Sequence, residues 1–145
     1  MKNNMPIVGV IDGQGGGVGA FIVKQLREKI SYDLEIVALG TNAVAAQMMM
    51  KSKANRGASG ENAIITTVPK LDLIIGPLAI VIPDSMMGEV SPAIAAAVSS
   101  CRAEKYLLPL HMEKLEVVGY KSHPFPHLID IMIGRLKNLL VKPAL

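Results

Sequence analysis

Tryptophan is absent from the 145 residues, and two Phe and three Tyr supply all the aromatic surface. So few flat rings leave little for nucleic-acid bases to stack on. Charge is scarce as well, at 19% of residues against about 25% in an average globular chain. The 15 basic and 12 acidic residues leave a net charge of +3, scattered along the chain. That is no electrostatic footprint for nucleic acid, which is not an expected partner. A single cysteine, Cys101, rules out an intramolecular disulfide and a cysteine-built metal cluster. The longest apolar stretch, Leu73 to Pro83, is 11 residues broken by Gly76-Pro77, well short of the roughly 20 that cross a bilayer. It reads as buried strand, and no membrane association is expected. Residues 1–6 carry Lys2, Asn3 and Asn4 and no apolar signal region, so with the lone thiol a cytoplasmic location is expected.

Half the residues are apolar. A chain of this length buries about 70% of its unfolded surface as one domain, which is the expected organisation for 1–145. Apolar surface in excess of what so few charges cover points to a homo-oligomer, most simply a two-fold dimer. Ile7 to Ile11 is an uncharged, β-branched strand, and Val18, Phe21, Ile22, Leu26 and Ile30 repeat with the period of an amphipathic helix. Leu34 to Leu39 is a second strand, and Thr41 or Asn42 caps a helix from Ala43 to about Lys53. Asn55 to Asn62 is polar and glycine-containing and reads as loop; Ala63 to Val68 reads as a short strand. Leu71 to Ile75 is strand, and Leu78 to Ile82 is either another or a buried connection. Ser91-Pro92 starts a helix to about Arg102. Lys105 to Leu110 is the next strand, Leu115 to Val118 a shorter one at the edge, and Pro126 to Leu140 the closing helix.

Strands alternating with helices predict an α/β, Rossmann-like three-layer sandwich, a mostly parallel sheet with helices on both faces. Ligands of such sheets sit beyond the carboxyl ends of the strands, where the strand order reverses. Asp12 to Gly19, Gly40 to Asn42, Gly76-Pro77 and, further off, Pro109 to His111 are therefore the candidate positions.

The first of these segments holds five glycines in seven positions: Gly13, Gln14, Gly15, Gly16, Gly17, Val18 and Gly19. Lying between strand and helix, they permit a tight turn, let backbone amides approach a ligand, and aim the positive end of the helix dipole at an anion. A phosphate or pyrophosphate fits that chemistry. The alternative is a purely structural turn that lets a helix pack closely on a strand.

The spacing Gly13, Gly17, Gly19 resembles the glycine turn of short-chain dehydrogenases, and Gly15, Gly17, Ala20 fits the dinucleotide fingerprint. That resemblance covers about the first 42 residues. It implies NAD(P) or another nucleotide as cofactor. Two of its features are missing. Gly40-Thr41-Asn42 stands where an acidic residue would bind a ribose, and no Tyr is followed by Lys four places later. No Gly-Lys-Ser/Thr follows the glycines either, so the turn is not a P-loop. Taken together, Asp12-Gly13-Gln14-Gly15-Gly16-Gly17, Ala38-Leu39-Gly40-Thr41-Asn42, Gly57 to Ile64 and Ile75-Gly76-Pro77 resemble a family of short bacterial proteins known as a domain of unknown function. The resemblance runs nearly end to end, implies the Rossmann-like fold, and assigns no activity.

Around the turn, Asp12 either holds a cation, a ribose or a proton, or makes an Asx turn with the following amides. Thr41 and Asn42 either touch a ribose or cap a helix. Arg56 either clamps a phosphate or belongs to a solvated helix end with Lys51 and Lys53. Gly76 and Pro77 lie where the crevice is expected, whereas Asp84-Ser85 either approach it, if the preceding apolar segment is a strand, or cap or turn the chain. His123 and His127 are four apart, but Pro124 and Pro126 disfavour a helical turn between them, and no metal site is expected. No catalytic set emerges. The reading is a protein binding a phosphate-containing nucleotide; the alternatives are a non-enzymatic metabolite-sensing or regulatory dimer, and a structural oligomer without ligand.

Overall fold

The computed structural model describes residues 5–110 and 112–140. Five strands, β1 (Ile7–Asp12), β2 (Glu35–Gly40), β3 (Arg56–Ser59), β4 (Leu73–Pro77) and β5 (Glu104–Leu108), pair in parallel in the order β3-β2-β1-β4-β5. Among the described residues five α-helices join or follow them: α1 (Gly17–Lys29), α2 (Ala43–Lys51), α3 (Glu61–Thr67), α4 (Pro92–Ser100) and α5 (Phe125–Leu140). This is the expected α/β Rossmann-like architecture.

Alternation along the strands sends side chains to two cores. Val8, Val10, Ile36, Ala38, Leu73 and Ile75 pack with α1, α2 and α5 on one face. Ile11, Val37, Leu39 and Ile74 pack with α3 and α4 on the other. A side chain such as Ile36 or Ile74, with no exposure at all, contributes about 1.5–3 kcal/mol by leaving water. Both cores end at the same edge, where Asp12, Gly40 and Pro77 finish their strands.

The chain grows outward from β1 through β2 to β3, then crosses back to β4 on the opposite side of β1. The reversal therefore falls between β1 and β4. Their paired register ends at Val10 and Ile75, two residues before each strand does, beside the position where a ligand-binding crevice is expected.

Three local expectations are corrected, and one open alternative, at Leu78 to Ile82, is decided. Residues 55–62 are not all loop: Arg56–Ser59 pairs with Val37–Gly40 as an edge strand, all four residues exposed, held by backbone bonds rather than by burial. Ala63 to Val68 is not strand; Ile64 and Val68, four apart, face the core from α3 and the short 3-10 turn after it. Leu78 to Ile82 is a connection, with a 3-10 turn over Leu78–Val81. Leu115 to Val118 forms no strand, and Val118 stands 94% exposed.

Candidate functional site

The β1–α1 turn is shaped by a buried carboxylate behind it. Asp12, 4% exposed, accepts from the Gly13 amide at 2.8 Å and from the Gly19 amide at 2.7 Å. One side chain thereby ties the start of the turn to the first turn of α1, which is the Asx-type role among its alternatives. Gly16, at φ +75°, is the helix N-cap, and the amide of Ala20 donates to its carbonyl at 2.9 Å. A Cβ on Gly16 would stand 2.7 Å from the Ala45 Cα, so the backbone of α2 itself demands glycine there. At Gly19 a Cβ would meet Met49 and Asp12. These glycines serve packing.

Gly15 and Gly17 differ. Both are exposed, and a Cβ on either would find nothing within 4 Å. Among the described residues the amides of Gly15, Gly17 and Val18 meet no hydrogen-bond acceptor. The first amides of a helix have no partner within it, and here they carry the positive end of the α1 dipole outward. Of the expected cradle over 13–19, three amides are thus open to an anion, while those of Gly13 and Gly19 are taken by Asp12.

The Gln14 amide is taken as well, by a residue that sequence reasoning missed. Glu89 Oε1 accepts from it at 2.7 Å, from the Thr41 hydroxyl at 2.7 Å and from the Asn42 side-chain amide at 2.9 Å. Burial alone would raise the Glu89 carboxyl. The donors at Gln14, Thr41 and Asn42 outweigh it and hold the group below its ordinary value, so it is ionised at neutral pH. Asn42 also caps α2, its Oδ1 accepting from the Ala45 amide at 2.9 Å, and donates to the Gln14 carbonyl at 3.0 Å. Of the two alternatives for Thr41 and Asn42, the structure shows the cap, made by Asn42; both side chains also donate to Glu89.

Glu89 arrives from the segment after β4. There Asp84, Met86 and Met87 adopt φ of 64°, 56° and 56°, and Gly88 adopts 88°. Three non-glycine residues in the left-handed region curl the chain tightly, secured by Asp84 N–H to Val90 O at 2.7 Å and Ser85 Oγ to Ala79 O at 2.6 Å. Met86 Sδ and Glu89 then lie directly over Gly13, where any Cβ would strike them and Thr41. Beside this roof opens a cleft of about 860 Å³, lined by Gln14, residues 82–87 and Glu113-Lys114. Asp84 and Ser85 line this cleft, although a connection precedes them and not the strand that this expectation requires, and they turn the chain as well. Only their position after a strand end at the reversal point could have drawn attention to Glu89, since it follows no periodicity or motif.

Other candidates sit elsewhere. Arg56 pairs with Glu35 at 2.6 Å and starts β3 opposite Val37, three residues short of Gly40. At about 3.3 Å per residue this is roughly 10 Å from the strand ends, and the fold does not bring Arg56 to the turn. Gly76 and Pro77 are buried at the end of β4, where a Cβ on Gly76 would collide with the Ile11 carbonyl. They wall the crevice rather than line the cleft. His123 and His127 stack edge to face, centroids 4.9 Å apart, at the entry to α5. No group of three His, Cys, Asp or Glu side chains among the described residues is placed to hold a metal ion. His111 lies outside the described residues. No described helix is long and apolar enough to cross a membrane.

Comparison with known proteins yields one family. Its model, described as a domain of unknown function (DUF3842), matches residues 7–141. No curated protein sequence matches the chain. A solved structure from Thermotoga maritima, named provisionally as an alcohol dehydrogenase, is 16% identical over 97% of this chain, with a TM-score of 0.41. The chain spans 45% of the length of that protein.

Proposed function

We propose that the chain, which belongs to the family described as a domain of unknown function (DUF3842), binds a nucleotide by its phosphates at the β1–α1 turn. One observation carries the reading: the Gly15, Gly17 and Val18 amides lie at a helix N-terminus with open space before the two glycines. A phosphate accepts hydrogen bonds from such amides and is favoured by the helix dipole. The position, at the carboxyl end of β1 beside the strand-order reversal, is where parallel α/β sheets hold nucleotides. The adjoining cleft of about 860 Å³ falls within the range of small-molecule sites. NAD, NADP and ATP share this phosphate chemistry.

Calorimetric titration with NAD, NADP, ATP, ADP-ribose and inorganic pyrophosphate tests the reading, on the native chain and on Gly15→Asp. The aspartate side chain enters open space, so the fold is retained while its charge repels phosphate. At one hundred times Kd a bound ligand also raises stability by about 2.7 kcal/mol. The expected result is binding by the native chain and its loss in Gly15→Asp. Binding by none of the five, or binding that survives the aspartate, overturns the reading.

A further inference from the structure

We infer that Glu89 selects the sugar of that nucleotide, receiving a ribose with free 2′ and 3′ hydroxyls and rejecting one that carries a 2′-phosphate. The inference rests on the phosphate reading above and deepens it by naming the ligand class. Three elements converge on one oxygen: the turn through Gln14, the end of β2 through Thr41, and the cap of α2 through Asn42. All three donors are neutral, so they orient the carboxylate without cancelling its charge. They are also spent on Oε1. Oε2 meets no donor among the described residues, and Glu89 is half-buried, open enough for a ligand to reach.

The carboxylate stands between the phosphate-facing amides and the carboxyl end of β2. In nucleotide-binding sheets of this topology the adenosine ribose lies over that spot, and an acidic residue following the second strand receives its hydroxyls. Here Gly40-Thr41-Asn42 occupies that stretch of sequence, and the carboxylate is delivered from the 82–90 segment, 48 positions beyond Thr41. An ionised carboxylate only accepts hydrogen bonds. Hydroxyls of a ribose diol can donate to it in short, charge-assisted bonds. A 2′-phosphate has the same sign of charge and is repelled at close range, which gives discrimination by an unfavourable contact as well as a favourable one.

The test is titration of the native chain and of Glu89→Gln with ADP-ribose, its 2′-phosphorylated form and inorganic pyrophosphate, with thermal unfolding to check the variant. The native chain is expected to bind ADP-ribose at least tenfold more tightly than the 2′-phosphorylated form. Glu89→Gln is expected to lose most of that preference, binding ADP-ribose more weakly and its 2′-phosphorylated form no more weakly than the native chain does. Equal binding of the two ribosides by the native chain, a comparison that needs no variant, overturns the inference and leaves the phosphate reading standing. So does pyrophosphate binding as tightly as ADP-ribose. Tighter binding of all three ligands by Glu89→Gln also overturns it, marking Glu89 as a plug that competes for the Gln14 amide. Binding of none of the three overturns both readings together.

Discussion

The Gln14 amide donates to the Glu89 carboxylate at 2.7 Å, across 75 positions of sequence. Through that contact the segment after β4 is fastened to the turn after β1, bridging the two strands between which the strand order reverses. Thr41 and Asn42 join from the next strand, so three strand ends share one anionic group.

Acid should loosen this junction. The folded-state value of the Glu89 carboxyl lies below its unfolded value near 4.5, so the stabilisation is fully present above that pH and is lost as pH falls through the lower folded value. Native protein is expected to lose stability on acidification below about pH 4.5, and Glu89→Gln is expected to show a shallower fall over the same interval. Chemical denaturation across a pH series measures both, and identical slopes would contradict the assignment.

Asp12→Asn retains the shape of the side chain but not its charge. Its amide can accept from only one of the Gly13 and Gly19 N–H groups and turns a donor toward the other. A charge-assisted bond contributes about 1.5–3 kcal/mol, and a buried unsatisfied amide costs a similar amount. A loss of about 2 kcal/mol or more in urea denaturation is expected. A change below half a kcal/mol would show that Asp12 does not hold the turn together.

Two adjacent glycines should respond oppositely to alanine. Gly16→Ala forces a side chain into the left-handed region and against the α2 backbone, and should destabilise by about 2 kcal/mol or more. Gly17→Ala meets no neighbour within 4 Å at the first helical position and should be neutral or stabilising by about 0.5 kcal/mol. Paired thermal melts decide the matter. Equal losses at both positions would mean that the open space before Gly17 is not there.

Arg56→Ala removes an ion pair whose arginine side chain is 66% exposed. Exposed pairs contribute about 0–1 kcal/mol, so a stability change within that range is expected. Affinity for ADP-ribose should move less than twofold by titration, and a tenfold loss would return Arg56 to the binding site.

Much of the fold is legible in the sequence because burial writes it there. The uncharged runs around Ile7, Ile36 and Ile74 mark strands covered on both faces, and the stripe from Leu128 to Leu136 marks α5. What burial does not write is lost. β3 is an exposed strand whose Arg56, Gly57, Ala58 and Ser59 show no apolar pattern, since its stability lies in backbone pairing with β2. Ile64-Ile65-Thr66-Thr67-Val68 has the composition of a strand, yet Gly60 and the four-residue step from Ile64 to Val68 commit it to helix and turn. The site divides the same way. Gly13 to Gly19 and Asp12 lie on contiguous sequence and announce a turn. Glu89 is one carboxylate in an irregular segment, brought to Gly13 by a curl whose left-handed Met86 and Met87 no local propensity favours.

Asp12 and Glu89 furnish negative charge from within at the positive end of the α1 dipole. A turn so provided holds its shape by its own bonds, with no amide stranded at Gly13, Gln14 or Gly19. On the proposed reading, nucleotide therefore comes and goes while the scaffold stays assembled, and its exchange is governed by the outer amides and the 82–90 roof rather than by refolding.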